Sequence, residues 1–380
     1  MRLSMNSPIT KTLLRSGIIS LWSALLFLPF KGLQAAGILF LLLFLALPVI
    51  TLTAGLSGPF FRTADIIKKN LARLIPGDSR YLLLLILPAL TVPLFSQNYV
   101  LDVAVLAGIY IILALALNVV VGFTGLLNLG FVAYYAIGAY SFALLNTRLG
   151  LSFWSALPLS VVITTAAGFI FAAPALRLKG DYLALVTLGF GEIVRITLNN
   201  WDSFTKGPNG ISGIDAPFFF GISLAPLSLY YCLVLFFVVL AVIVIRRVQA
   251  SKIGRAWIAL REDEIAASAM GIRSTRYKLY AVSFGAFWAG LAGCLFAAKM
   301  RFISPESFTF MESVLILSMV ILGGLGSIAG VIVGAVILVA LPEALRDIQM
   351  YRMLALGAGV VLLMIFRPQG LFGGTNAPRS

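Results

Sequence analysis

Long apolar runs that contain no charged residue recur along the whole chain, and residues 39–47 and 233–245 are two of them. Hydrophobic residues make up 61% of the sequence and charged residues 11%, against about 45–50% and about 25% in soluble domains. So few charges do not cover the surface of a soluble protein. The strands of a transmembrane β-barrel alternate apolar and polar residues and contain no such runs. The sequence therefore predicts an all-α fold, a polytopic transmembrane helical bundle.

Apolar segments of membrane-spanning length predict about 10 to 12 spans, at roughly 20 residues for each span. The predicted spans are residues 17–30, 35–56, 81–95, 100–121, 127–146, 152–175, 183–199, 226–245, 279–298, 311–328, 331–345 and 352–366. Residues 81–95 and 331–345 are short, and residues 183–199 contain charges. We therefore expect some short or re-entrant segments that line a cavity.

Basic residues lie between the apolar segments and are unevenly distributed. Residues 246–278 contain eight of the 28 lysines and arginines, and residues 57–80 contain five. Because cytoplasmic loops carry an excess of lysine and arginine, both segments and both chain termini are predicted to be cytoplasmic, with residues 200–225 outside. The net charge of +14 then reflects topology and contact with anionic lipid, not nucleic-acid binding.

A change in composition near residue 80 predicts a division of the chain. Residues 1–80 contain two segments rich in Leu, Phe and Ala and are predicted to form an accessory transmembrane hairpin with a cytoplasmic linker. Residues 81–371 have more Gly, Asn and Thr within the apolar segments and are predicted to form the functional core, including the cytoplasmic loop 246–278. Residues 372–380 are predicted to be a cytoplasmic tail.

The sequence also excludes several kinds of chemistry. Histidine is absent, which excludes a Ser-His-Asp triad, an HExxH zinc site and a histidine acid or base. Cys232 and Cys294 lie in apolar stretches, where we expect small core residues and not a metal site or a reactive thiol. The chain is therefore predicted to hold no catalytic residue, no metal and no cofactor.

Glycine-rich stretches interrupt the apolar segments of the core. Residues 122–130 contain three glycines and an asparagine, which predicts an interrupted helix whose backbone polar groups face a pathway. The candidate pathway residues are Gly122, Gly125, Asn128, Gly130, Thr187 and Gly191. Gly326, Gly330 and Gly334 follow a GxxxGxxxG pattern, which predicts close packing between helices.

Two charged residues lie inside one predicted span. Glu192 and Arg195 are three positions apart, so on a helix they share a face and can neutralise each other. We expect a structural or gating ion pair. The alternative is proton coupling by a secondary transporter, in which Glu192 or Asp102 would carry the proton.

The cytoplasmic loop has apolar residues spaced through a charged background: Ile253, Trp257, Leu260, Ile265 and Met270. This pattern predicts short amphipathic helices that are broken at Gly271. A loop that is only exposed to solvent would not need these spaced apolar residues. We therefore expect helices presented to a cytoplasmic partner.

The same loop carries the first resemblance to a known family. Glu264, Ala266, Ala267 and Gly271 follow the E-x-A-A-x-x-x-G pattern and resemble the coupling loop of permease subunits in binding-protein-dependent ABC importers. Further blocks resemble the M-type permeases of high-affinity branched-chain amino-acid importers, and they are residues 117–140, 176–195, 207–211, 303–310 and 366–371.

The resemblance implies functions for particular residues. Those implied to couple the chain to ATPase subunits are Gly254, Arg255, Glu264, Ala266, Ala267 and Gly271. Those implied to contact an external binding protein are Gly207, Pro208, Asn209, Gly210, Glu306 and Ser307.

The resemblance also implies partners in a bacterial inner membrane: a paralogous permease that forms a heterodimer with this chain, two ATP-binding cassette subunits and a periplasmic amino-acid-binding protein. ATP would bind to the cassette subunits, and the sequence indeed has no G-x-x-x-x-G-K-[ST] motif. The implied substrates are leucine, isoleucine and valine. A urea or short-amide permease of the same family is an alternative, and a membrane-embedded enzyme is disfavoured by the absence of catalytic groups.

Overall fold

The computed structural model describes residues 98–176, 178, 180–219, 222–344, 357, 370 and 371. The predicted hairpin of residues 1–80, the predicted span 81–95 and the predicted tail 372–380 lie outside the described residues. The predicted span 352–366 also lies outside them, except for Gly357.

Helices dominate the described part of the chain, as the apolar runs predicted. They are α1 (Asn98–Leu117), α2 (Val132–Leu149), α3 (Phe153–Ala175), α4 (Asp181–Asn200), α5 (Asp202–Thr205), α6 (Leu227–Ala250), α7 (Lys252–Glu262), α8 (Glu264–Ala269), α9 (Ser274–Met300), α10 (Phe310–Gly323) and α11 (Ile328–Ala344). The helical stretches long and apolar enough to cross a membrane are Asn98–Phe123, Phe153–Ala175, Leu227–Ala250 and Ser274–Met300. The prediction of an all-α polytopic membrane protein is confirmed.

The first glycine-rich stretch interrupts the bundle between α1 and α2. The helix of α1 widens into a π-helix over Asn118–Phe123, and residues 124–131, the irregular segment, then connect it to α2. Gly125 in this segment has φ +72°, a left-handed conformation that favours glycine. The predicted span 127–146 therefore begins later, at Val132, because hydropathy alone does not mark where a helix starts.

The second glycine-rich stretch separates α10 from α11. Gly324 and Gly326 have φ +107° and +85°, so the chain turns here. The predicted span 311–328 consequently ends at Gly323, and α11 begins at Ile328, before the predicted start at residue 331.

The long helix α9 lies at the centre and packs against α1, α2 and α3. Glycine allows the backbones of α2 and α9 to touch: a Cβ atom on Gly138 would lie 2.5 Å from the Cα atom of Gly290, and one on Gly293 would lie 2.7 Å from the nitrogen of Ala139. Such close approach between small residues is typical of helices in membranes.

The predicted packing of the second glycine pattern is present between α10 and α11. A Cβ atom on Gly334 would lie 3.0 Å from the nitrogen of Gly323, and one on Gly330 would lie 2.9 Å from the Gly323 carbonyl carbon. Gly326, however, lies in the turn before α11 and not on the helix.

The two cysteines differ in environment. Cys294 is buried in α9, as predicted, and Cys232 is exposed on α6. The core prediction for Cys232 is wrong because a membrane helix is apolar on its outer face as well as on its buried face.

Short strands, which the apolar pattern did not predict, lie in the connections. They are β1 (Ile211–Ser212), β2 (Phe218–Phe219), β3 (Ile222–Ser223) and β4 (Phe302–Ile303). β1 pairs antiparallel with β4, with Ile211 opposite Ile303, and β2 pairs antiparallel with β3.

The connections between helices gather at two ends of the bundle. We call one the basic end, formed by residues 251–273, the irregular segment and the turn 324–327, and the other the opposite end, formed by residues 201–219, 222–226 and 301–309. Helix α6 separates them by about 36 Å, at 1.5 Å for each of its 24 residues. At the opposite end, Lys299 and Asp102 form an ion pair of 2.9 Å.

Candidate functional site

A cavity of about 620 Å³ lies between the irregular segment, α3 and α4. Its walls are largely apolar, and they include Leu126, Leu127, Phe171, Leu183 and Phe190. Asn128 and Thr187 supply polar side chains to the lining. The arrangement offers an apolar surface with a few hydrogen-bonding groups, which is typical of sites for small molecules.

Backbone contact between the irregular segment and α4 shapes this cavity. The amide of Leu129 donates a hydrogen bond of 3.1 Å to the Thr187 hydroxyl, and the Gly130 amide donates one of 3.1 Å to the Asn128 side chain. A Cβ atom on Gly130 would collide with the Thr187 carbonyl, and one on Gly191 would lie 3.0 Å from the Gly130 Cα atom. Glycine is therefore required where the segment crosses α4.

The predicted pathway residues fall into two groups. Asn128 and Thr187 line the cavity, and Gly130 and Gly191 hold its wall against α4. Gly122 and Gly125 do not line it. They lie beside α7, and the structure thus separates them from the other four candidates.

The predicted loop 246–278 folds into α7 and α8 because each helix has its own N-terminal cap. The Ser251 hydroxyl accepts from the amides of Ile253 and Gly254. The Asp263 carboxylate accepts from the amides of Ile265 and Ala266 at 2.8 and 3.0 Å. Serine and aspartate are favoured at this position because they satisfy free amide groups of the first turn.

The apolar residues of the loop 246–278 lie in two different environments. Trp257 is 1% exposed and donates a hydrogen bond of 2.8 Å to the Tyr277 carbonyl, and Leu260 is also buried. Ile265 and Met270 are 80% and 85% exposed. The predicted short helices are present, and Trp257 and Leu260 anchor α7 to the bundle, so only part of the apolar set is exposed.

The predicted coupling residues also divide between anchoring and exposed positions. Gly254 packs against the last turn of α6, and Ala267 is buried. Ala266, Arg255 and Gly271 are exposed, and Gly271 has φ +86° where the chain leaves α8. Glu264 lies 2.7 Å from Lys278 of α9.

Arg261 is a site residue that the sequence patterns did not identify. Its Nη1 atom donates a hydrogen bond of 2.5 Å to the Gly122 carbonyl, across 139 residues of sequence. The sequence gives no signal for this contact, because only the fold brings α7 beside the end of α1.

At the opposite end, the structure brings together the two segments predicted to contact a binding protein. Gly207–Asn209 and Pro305–Phe308 each form a short 3-10 helix, and the pairing of β1 with β4 joins them. The exposed side chains are Pro208, Asn209 and Glu306, and Ser307 is half-buried. Gly207 and Gly210 are buried, and a Cβ atom on Gly210 would collide with the Ile303 carbonyl.

The predicted ion pair on α4 is present. Arg195 donates from Nε and Nη2 to Oε2 of Glu192, at 2.9 and 2.7 Å. The side chains are 31% and 34% exposed for Glu192 and Arg195, on a helix whose neighbouring Ile193 is exposed too. Within the described ranges, no cluster of three His, Cys, Asp or Glu residues could hold a metal ion.

Comparison with known proteins identifies a family of transport permeases. A model of the family described as "Branched-chain amino acid transport system / permease component" matches residues 99–366. The chain is 49% identical over 319 residues to the high-affinity branched-chain amino acid transport system permease protein LivM of Salmonella typhimurium, a match that covers 78% of this chain and 75% of the relative.

Other relatives are also transport permeases. LivM of Escherichia coli is 48% identical over the same shares of the two chains. The high-affinity branched-chain amino acid transport system permease protein LivH of Salmonella typhimurium is 26% identical over 288 residues, which is 70% of this chain and 92% of that protein. No solved structure matches the chain at a significant level.

Proposed function

We propose that this chain, which belongs to the family of branched-chain amino acid transport system permease components, forms a path for leucine, isoleucine and valine across the inner membrane in an ATP-driven importer. The observation that carries this proposal is the cavity beside the irregular segment. Its apolar walls suit a branched aliphatic side chain, and Asn128 and Thr187 offer polar contacts to the charged amino and carboxyl groups.

The size and chemistry of the cavity fit a substrate that passes through. Its volume of about 620 Å³ lies within the range of roughly 300–1,000 Å³ for small-molecule sites. Among the described residues, none that lines the cavity is charged, so the contacts with a zwitterion stay weak. Weak contacts favour release on the far side, because a transport path must not trap its substrate.

The basic end is the surface at which we place the two ATP-binding subunits, on the cytoplasmic side. Its lysines and arginines support this orientation, and the spans predicted from the sequence then assign both chain termini to the cytoplasmic side. Ile265 on α8 and Met270 just after α8 are exposed apolar side chains, and such side chains insert into grooves of partner proteins. ATP then binds to those subunits and not to this chain.

The opposite end is the surface at which we place a periplasmic amino-acid-binding protein. The joined segments around Pro208, Asn209 and Glu306 support this assignment, since these three side chains are exposed and the β1–β4 pair brings the two segments together. A paralogous permease completes the path. The LivH relatives, which are permeases at 26–27% identity, support a partner of this kind.

The ion pair of Glu192 and Arg195 is assigned a structural or gating role. Both hydrogen bonds from the guanidinium go to one carboxylate, so each charge neutralises the other within α4. This arrangement disfavours a proton-coupled transporter that would use Glu192, because the carboxylate already has a partner of opposite charge on its own helix.

The proposal is tested with the complete complex reconstituted in vesicles. We expect uptake of radiolabelled leucine that requires ATP, persists when a protonophore collapses the proton gradient, and is inhibited by excess isoleucine or valine. Inhibition by urea or acetamide in place of isoleucine would instead support a short-amide permease. Uptake that stops with the proton gradient and continues without ATP would contradict the proposal.

A further inference from the structure

Arg261 connects α7 at the basic end to the membrane-embedded part of the chain. The bond from Nη1 to the Gly122 carbonyl is 2.5 Å long. A carbonyl in the last turn of a helix lacks an intrahelical partner and lies at the negative end of the helix dipole. A guanidinium is therefore well suited to bind it, and a hydrogen bond from a charged donor is stronger than a neutral one.

The contact falls at a point where three elements meet. Gly122 belongs to the π-helix at the end of α1, and the Asn118 side chain in that π-helix accepts a hydrogen bond of 2.9 Å from the Gly326 amide. A Cβ atom on Gly326 would lie 3.2 Å from Nη1 of Arg261. Arg261 thus contacts α1 and the turn between α10 and α11 together.

The same side chain lies against the segment that lines the cavity. The aliphatic part of Arg261 lies beside Gly125, where an added Cβ atom would be at van der Waals distance, 3.4 Å, from the arginine Cγ atom. Leu126, the next residue, and Leu127 both line the cavity. The Gly125 and Leu126 amides donate to carbonyls of the π-helix at 3.1 and 3.2 Å. A displacement of Arg261 would therefore reach the cavity wall through Gly125, the residue before Leu126.

We propose that Arg261 is a positioning residue that transmits movement of α7 and α8 to the cavity wall formed by the irregular segment. The inference rests on the proposed function, since it requires ATP-binding subunits that move α7 and α8. Arg261 itself touches neither the cavity nor the exposed face of α8. Its role is to make the position of the cavity wall depend on the position of α7 and α8.

The test uses the complete complex with Cys232→Ser and Cys294→Ala, and with Leu127→Cys as a reporter in the cavity wall. Two quantities are measured: leucine imported per ATP hydrolysed, and the rate at which the introduced thiol reacts with a small water-soluble reagent, without nucleotide and after trapping with ATP and vanadate. Each is compared for Arg261, Arg261→Gln, Arg261→Lys and Arg247→Gln. Arg247 is an exposed arginine on α6, outside residues 251–273, and Arg247→Gln serves as the control.

We expect Arg261→Gln to assemble and hydrolyse ATP, with leucine import per ATP reduced at least tenfold and the nucleotide-dependent change in thiol reactivity lost. Arg261→Lys, which can still donate to the carbonyl, should lie between Arg261→Gln and the parent. Arg247→Gln should match the parent. A purely structural role would lower the amount of complex without changing import per ATP.

Three results would overturn the inference. One is that Arg261→Gln imports as much leucine per ATP hydrolysed as the parent complex. Another is that neither Arg261 variant assembles, which would assign the residue to folding. The third is failure of Arg261→Gln to assemble while Arg261→Lys couples as the parent does. A parent complex that imports no leucine contradicts the proposed function itself and removes the basis of the inference.

Discussion

The carboxylate of Glu264 lies 2.7 Å from the ammonium group of Lys278, and this ion pair joins the first residue of α8 to α9. The Lys278 side chain is 8% exposed and the Glu264 side chain 30%, and the Ser274 hydroxyl also donates to Glu264. The carboxylate therefore faces its own chain. The ion pair fixes α8 against α9, and we expect Glu264 to affect coupling in this way, while Ile265 and Met270 are the exposed apolar side chains.

Replacement of Glu264 by glutamine removes the countercharge of a buried ammonium group. A buried donor left without its partner costs about 1–3 kcal/mol, and more for a charged group, so we expect leucine uptake by the reconstituted complex to fall at least fivefold. Glu264→Lys should abolish uptake, and combination with Lys278→Glu should restore part of it. Glu262→Gln, which alters an exposed carboxylate on α7, is the matched control. Normal uptake by Glu264→Lys would contradict this prediction.

Glycine at position 130 is required for the contact between the irregular segment and α4. Gly130→Ala should destabilise the complex by about 1–3 kcal/mol, as overpacking does, because the added methyl group meets the Thr187 carbonyl. Thermal unfolding of the purified complex and leucine uptake measure the effect. Gly189→Ala is the control, since Gly189 also lines the cavity but has nothing within 4 Å of an added Cβ atom. Equal stability of the two variants would show that the contact is unimportant.

The sequence predicts much of the fold because one property, the length of an apolar segment, identifies a membrane helix. Apolar length indicates the spans, and loop charge indicates which connections share an end of the bundle. Breaks in helices are harder to predict. The end of α10 and the π-helix after Leu117 depend on which backbone groups find partners in other elements, such as the bond between Asn118 and Gly326.

The candidate site is predictable in part for the same reason. The spacing of Glu192 and Arg195 alone predicts their ion pair, because neighbours on one helix need no tertiary information. The contacts of Gly130 with Thr187 and of Arg261 with Gly122 join residues far apart in sequence. Their glycines are visible in the sequence, but their partners follow only from the packing of α4 and α7.

Because Glu192 and Arg195 neutralise each other, we expect the single variant Glu192→Gln to be less stable than the double variant that also carries Arg195→Gln. Glu192→Gln leaves the Arg195 charge unpaired, whereas Glu192→Gln with Arg195→Gln removes both charges. Breaking a fully buried pair costs roughly 3–5 kcal/mol, and we expect less here because both side chains are about one-third exposed.

The single variant should therefore give less assembled complex and a lower unfolding temperature than the double variant. Size-exclusion yield and thermal unfolding of the detergent-purified complex measure this. Normal assembly of Glu192→Gln, with loss only of the pH dependence of transport, would instead support proton coupling through Glu192.

The joined surface at the opposite end predicts where charge reversal weakens docking of the binding protein. Glu306 is exposed and follows Pro305 in a short helix held beside Pro208 and Asn209 by the β1–β4 pair. Glu306→Lys should raise at least tenfold the concentration of amino-acid-loaded binding protein needed for half-maximal leucine uptake, because a wrong charge in an interface opposes association. Asp215→Lys makes the same charge change at another exposed position of this end and is the control. If both variants raise that concentration equally, the effect is one of overall charge, and docking on the surface around Glu306 is contradicted.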